Sequence, residues 1–196
     1  MKRFSLLLLA VVLAVVLYAQ ESVYFVIKPT GAFELESGGD FAVVEFPGKS
    51  AAELYAMVKS NVLSYYNAAD EVMSESDGEM ISIYAYDDNI WRVNSLGATG
   101  IYGGYYKLVF RFKDGKVRVD APSISKELIL CDGSFTNTIG IRSRVFLSNC
   151  AKKVCSGKSK KDASKKVKLE CVVNIPINYL LGITQQNEES SDSTDW

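Results

Sequence analysis

The sequence predicts an α+β fold: an antiparallel sheet packed by one long helix, with a second helix late in the chain. Three stretches carry that expectation. Residues 41–46, Phe-Ala-Val-Val-Glu-Phe, form a nearly continuous apolar run closed by Pro47-Gly48 and read as a strand buried on both faces or set at an inner position. Ser50-Ala51-Ala52-Glu53 then opens a segment in which Leu54, Val58, Val62 and Tyr65 recur at helical spacing, widened by Met57 and Tyr66. Around Asp114-Gly115 a two-residue type I′ turn sets Phe112 opposite Val117, Phe110 opposite Val119 and Leu108 opposite Ala121. The other face of that hairpin pairs Arg111 with Arg118 and Val109 with Asp120. A slip of one residue would break the match, so turn and pattern specify one register.

Taken in order, residues 1–19 have the layout of a secretory signal peptide. Lys2 and Arg3 precede an apolar run over 6–17, and Tyr18-Ala19-Gln20 offers a small residue for cleavage. The competing reading is a membrane anchor, but the run is short against the roughly 20 apolar residues a span requires. No cysteine follows the cleavage position, so a lipid-anchored start is not expected, and no transmembrane span is expected once the signal is removed. Residues 20–39 read as a lead-in, with an edge strand at 23–27 and turns at Pro29, Gly31 and Gly38-Gly39. The α+β core spans 40–123. Within it, Ser50 and Glu53 form a capping box, each satisfying a free backbone N–H of the other, and the helix is expected to end near Asn67.

Residues 72–75 read as a short strand and Asp77-Gly78 as a turn. Ile81, Ile83 and Ala85 alternate with Ser82, Tyr84 and Tyr86 in the period of a half-buried strand. Four glycines between Asp87 and Gly104 mark that segment as mostly loop. Residues 124–184 form a cysteine- and lysine-containing extension, with short strands at 128–131 and 145–147. Its final helix is capped by Asn174, carries Pro176 in its first turn and buries Tyr179, Leu180 and Ile183. Residues 185–196 are an acidic tail.

The residues at 40–55, Asp-Phe-Ala-Val-Val-Glu-Phe-Pro-Gly-Lys-Ser-Ala-Ala-Glu-Leu-Tyr, resemble the opening strand and helix start of a family of exported bacterial domains of unknown function with a fold like the TATA-binding protein (TBP-like). Residues 110–119, Phe-Arg-Phe-Lys-Asp-Gly-Lys-Val-Arg-Val, are similar to its closing hairpin. The resemblance covers residues 25–123 well, and 152–183 echo the lysine-rich lead and final helix of many members. It implies the fold and export. It brings no catalytic residues, and the fold name does not imply DNA binding. The four cysteines depart from the family pattern.

Composition excludes several chemistries. The chain has no histidine, so Ser-His-Asp and Cys-His catalysis, His-ligated zinc and a histidine pH switch are all absent. Without its leader the chain is slightly acidic, which is no global signature of a nucleic-acid binder. Gly48-Lys49-Ser50 is the tail of a phosphate loop, but Val43 stands where its first glycine is needed, so it reads as a turn and a cap. Export favours disulfides over a four-sulfur zinc site. Four cysteines allow three complete pairings; closeness in sequence favours Cys150 with Cys155, leaving Cys131 for Cys171. Asp87-Asp88-Asn89 lacks the spaced ligands of a calcium loop and reads as a polar strand end. Tyr102, Tyr105 and Tyr106 beside Gly103-Gly104 read either as a sugar-stacking platform or, preferably, as strand aromatics packing on the helix.

The densest charge is basic. Lys152, Lys153, Lys158, Lys160, Lys161, Lys165, Lys166 and Lys168 are accompanied by one acid, Asp162, with Arg142 and Arg144 just upstream. The stretch reads as a solvated loop or as a binding site for a polyanion such as an acidic glycan, the phosphates of a lipopolysaccharide or nucleic acid. Nucleic acid is disfavoured because no stacking residues are interleaved with the lysines. No catalytic, cofactor or metal constellation emerges. The expected function is a non-enzymatic envelope or secreted module whose partner is an envelope protein or an anionic glycan. The alternatives are a hydrolase or lipid-handling enzyme whose site forms only in three dimensions, and a structural subunit of an envelope assembly. A pocket of perturbed carboxylates would favour the enzyme; a solid core with a basic or aromatic face would favour the binder.

Overall fold

The structure, a computed structural model, describes residues 22–76, 78–95, 98–133, 144–157 and 159–183. The signal segment, the acidic tail, Arg142 and Lys158 lie outside them. The strands are β1 (Phe25–Ile27), β2 (Phe33–Leu35), β3 (Phe41–Glu45), β4 (Met73–Ser76), β5 (Met80–Ser95), β6 (Ala98–Lys113), β7 (Lys116–Asp120), β8 (Ser123–Ile124), β9 (Glu127–Gly133) and β10 (Arg144–Phe146). Four helices lie among the described residues: α1 (Ala51–Tyr65), α2 (Ala69–Val72), α3 (Leu147–Cys155) and α4 (Lys160–Leu180).

All the strand pairs are antiparallel. The main sheet has eight strands in the order β10-β9-β6-β5-β4, with β7 and β8 also against β6 and β3 outside β7, so the apolar run at 41–46 is an edge strand with Phe41 and Val43 exposed and not the inner one expected. The sheet is organised by β6, which is long enough to pair with β5 on one side and with β7, β8 and β9 in succession on the other. The expected hairpin register holds: Phe110 faces Val119, Arg111 faces Arg118 and Phe112 faces Val117. Gly115 sits at φ +75°, the left-handed conformation the turn requires. The described residues of 87–104, a segment expected to be mostly loop, are instead the outer half of strands β5 and β6. Gly103 and Gly104 are there for lack of room: a Cβ on Gly103 would lie 2.6 Å from the Asp87 carbonyl oxygen, and one on Gly104 2.8 Å from Leu128 Cδ2.

One face of the sheet is covered. Ile81, Ile83, Leu108, Phe110, Val117 and Val119 point into it and meet Leu54, Val58 and Val62 of α1. The capping box at the start of α1 is complete: the Glu53 N–H donates to Ser50 Oγ, and the Ser50 N–H donates to Glu53 Oε2 at 2.8 Å.

The expectation of one long helix with a late second helix capped by Asn174 is corrected. With 21 residues, α4 is longer than the 15-residue α1. It begins at Ser159, whose side chain caps Asp162 N–H, and not at Asn174. Lysine and alanine are good helix formers, and Leu169, Val173, Ile177 and Leu180 supply the buried stripe. Asn174 and Pro176 looked like a helix start, but both are interior. Asn174 instead ties β1 to the helix. Its Oδ1 accepts from Phe25 N–H, and its Nδ2 donates to Phe25 O, both at 2.8 Å. Asn178 makes the same pair of bonds to Val23, and Glu170 accepts from Ile27 N–H at 2.9 Å. Four helical residues rise about 6 Å and two strand residues about 6.6 Å, so side chains at i, i+4, i+8 can follow alternate strand residues. Tyr179, expected to be buried, is 47% exposed, whereas Leu180 and Ile183 are buried.

Candidate functional site

The candidate site forms where the outer half of β5 meets α3 and the first half of α4. In β5 the register shifts between Asp87 and Trp91, four steps answering two on β6 from Gly104 to Tyr102. Asp87 Oδ1 holds this bulge by accepting from Asn89 N–H at 2.7 Å, which is the structural task of the Asp87-Asp88-Asn89 run. Among the described residues no group of three or more His, Cys, Asp or Glu side chains is placed to hold a metal.

Beyond the bulge, Trp91 is buried and floors two hollows. One, of about 400 Å³, lies between β5 and α4 and is lined by Arg92, Asn94, Lys161, Ser164, Lys165 and Lys168 among others. The second, of about 260 Å³, lies toward α3 and β10 and includes Arg144, Phe146, Asn149, Cys150 and Lys153. Among the described residues no carboxylate lines either one. Lys161, Lys165 and Lys168 share one face of α4 because they are spaced by four and three residues. The Lys165 ammonium lies 4.9 Å from the centre of the Trp91 ring and donates to the Arg92 carbonyl oxygen at 3.2 Å. Partial burial, and then the like charges of Lys153 and Lys161, hold its pKa below the ordinary lysine value, with Asp162 pulling weakly the other way. Asp162 also accepts from Ser159 Oγ at the helix cap, at 2.7 Å.

The lysines expected to act together are thus divided. The lysine-rich stretch is helix rather than a solvated loop, and it gathers Lys161, Lys165 and Lys168 at the cleft with Lys153 across from them. Lys166 turns to Glu170, 3.5 Å away. Lys152 and Lys160 are exposed on α3 and α4 and line neither hollow. Arg144 pairs with Glu127 at 3.0 Å. Trp91 and Arg92 escaped the sequence reading because the bulge that presents them lay in a segment taken for loop.

The cysteine pairing is also corrected: Cys131, Cys150, Cys155 and Cys171 are all free thiols. Cys150 and Cys155 stand five residues apart on α3, which turns their side chains about 140° from each other. Cys131 is on β9, where its Sγ lies 2.9 Å from the Tyr86 hydroxyl, whereas Cys171 is on α4. Burial pushes the Cys150 thiol up to about 11. The three tyrosines expected together are split by strand alternation. Tyr102 and Tyr106 are buried, Tyr106 sharing a 2.9 Å hydroxyl hydrogen bond with Tyr66, and Tyr105 is on the opposite, open face.

No family model and no curated protein matches the chain. Two solved structures are similar to it. A TBP-like protein from Parabacteroides distasonis covers 74% of this chain and 91% of its own length at 11% identity, with a TM-score of 0.51. A DUF4468 family protein from Bacteroides ovatus covers 87% of this chain and 94% of its own at 12% identity, with a TM-score of 0.47. At such identity the first likeness shows the fold alone, an α+β domain of the TBP-like kind.

Proposed function

We propose that the protein is an exported, non-enzymatic recognition module that binds a polyanion in the cleft beside Trp91. The observation that carries this reading is the cation cluster itself. Lys153, Lys161, Lys165, Lys168 and Arg92 surround two hollows with no lining carboxylate among the described residues, and Lys165 is held where burial and its neighbours both oppose its charge. An anion entering the cleft relieves that opposition. Its phosphates, sulfates or carboxylates find several donors, and Trp91 and the helix pair keep those donors in place. The Trp91 ring is buried beneath Lys165 and offers no open platform to a nucleobase, which favours an anionic glycan or an acidic envelope protein over nucleic acid. Among the described residues cations line these two hollows, which favours the binder over the hydrolase.

Trp91 is one of two tryptophans in the chain, so replacing Trp196 by Phe leaves it as the sole reporter. Titration of that variant with inorganic tripolyphosphate is expected to shift the Trp91 emission as Lys165 turns to the anion. The response should weaken with salt and be lost in Lys161→Ala/Lys168→Ala. An emission that stays flat at low salt overturns the reading. For export, the mature chain is expected to begin at Gln20, which N-terminal sequencing of the secreted or periplasmic protein checks.

A further inference from the structure

We propose that the open face of the large sheet is a second binding surface, for an acidic oligosaccharide. This inference does not depend on the cleft, which is built from α3, α4 and the outer half of β5. Two observations at opposite ends of the same face carry it.

The first is aromatic. Tyr84, Tyr86 and Tyr105 are 56%, 45% and 44% exposed, and all three stand on the face away from the helices. The rings of Tyr84 and Tyr105 are parallel within 2° with centroids 4.8 Å apart, and Tyr86 meets Tyr105 edge-on at 5.0 Å. Three half-exposed rings in mutual contact form an ordered apolar platform with hydroxyl groups at its edge. A pyranose matches such a surface, because its C–H face packs on the ring while its hydroxyls pair at the rim.

The second observation is electrostatic. In the β6–β7 hairpin, Arg111 faces Arg118 directly and Lys113 faces Lys116 in the next pair of that face. Like charges directly opposite one another destabilise a sheet, and here two such pairs follow in succession. Asp120 meets both arginines, at 3.0 Å from Arg111 Nε and 2.6 Å from Arg118 Nε, and Glu45 stands opposite Lys116 in the β3–β7 register. Four cations therefore meet two acids around a hollow of about 320 Å³ that has Val43 at its side. Sheet stability gives no reason to keep this excess; an anionic ligand does.

Tyr105 and Lys113 lie on the same strand and the same face, eight residues and so about 26 Å apart. That is the length of a short oligosaccharide, with sugar rings on the tyrosines and sulfate, phosphate or carboxylate groups on the hairpin. Single-stranded nucleic acid is the competing polyanion. It is less suited, because Arg118 covers the Phe41 ring at 4.0 Å and so leaves no open aromatic face beside the hairpin cations for a base to stack on.

The test is calorimetric titration of the full chain at low salt with a heparin-derived hexasaccharide, its desulfated counterpart and an eight-residue oligothymidylate. The hexasaccharide is expected to bind. Tyr84→Ala/Tyr105→Ala and Lys113→Glu should each weaken it about tenfold, the scale of one lost aromatic contact or charge pair. The desulfated sugar should bind at least as weakly as to Lys113→Glu. Lys113→Glu converts a repulsive cross-strand pair into an attractive one, so its melting temperature should not fall, and lost binding cannot then be laid to misfolding. Binding unchanged in both face variants, absence of binding, or tighter binding of the oligothymidylate each overturns the proposal. A loss confined to Lys161→Ala/Lys168→Ala overturns it too, and in that case leaves the cleft reading standing.

Discussion

Asn174 shows how one side chain can mislead in sequence and organise in structure. An asparagine two residues before a proline has the form of a helix start, yet it is 1% exposed and pairs with both backbone groups of Phe25. Its meaning depends on a strand 149 residues away, which no local pattern encodes. Replacing it by Leu keeps the branching at Cγ but leaves a buried N–H and a buried carbonyl unpaired. The expected cost is about 3 kcal/mol, from 1–3 kcal/mol for each orphaned group, measured as a shift in urea midpoint. Ser50 is the opposite case, legible because both halves of its capping box lie within four residues. Ser50→Ala should cost about 1 kcal/mol; an unmoved denaturation midpoint would show that the cap contributes nothing. Lys165 lies between these cases. Its residue type was singled out, but its place over Trp91 follows from a strand bulge and a helix pairing that act at long range.

Among the elements, those whose signals are local were legible. The β6–β7 hairpin has its turn, alternation and register within a dozen residues, and α1 has its box and stripe. Gly115→Val should therefore destabilise clearly more than Lys113→Ala, because a β-branched residue is strained at φ +75° whereas Lys113 is solvent-facing. Thermal melts of the two variants decide this. The β5–β6 hairpin was not legible beyond Tyr86, for a physical reason: glycine punctuates loops, but it also occurs in strands where another chain passes too close for a side chain. Gly103 is of the second kind. Gly103→Ala should lower stability by about 1–3 kcal/mol, the cost of overpacking a filled site, since the Asp87 carbonyl it meets is backbone and cannot swing away. A melting temperature within a degree of the parent's would show that the bulge relaxes freely. For α4, the buried stripe from Leu169 to Leu180 was present in the sequence, but the lysine density upstream and Pro176 within it obscured its continuity.

At the scale of the whole molecule, the covered face of the sheet, the helices and β1 are joined by hydrogen bonds between part-buried polar side chains. Tyr66 and Tyr106 share a hydroxyl bond between α1 and β6, while Tyr24 donates to Glu170 at 2.9 Å between the β1 segment and α4. Burial is the first cause in each case, and it raises all three phenols above the ordinary value of 10.0, Tyr106 to about 12. The buried Cys150 thiol between α3 and α4 is raised from 9.0 to about 11. The sign of the linkage follows. Each group holds its proton more tightly folded than unfolded, so its contribution is fully present below the unfolded pKa. As pH climbs past about 9 and then 10, the unfolded chain loses these protons first and stability begins to fall. The loss continues until the folded groups themselves ionise, near 11 for Cys150 and 12 for Tyr106. Lys165 works the other way, since a lysine held below 10.5 in the folded state favours folding as pH rises toward that value. It is one group against three phenols and the Cys150 thiol, so the net slope should be downward. Thermal melts from pH 8 to 11.5 should show a flat region and then a steady decline. Tyr66→Phe, which keeps the ring and removes the proton, should make that decline shallower, and an unchanged slope in this variant would show that the interior phenols do not set the alkaline limit.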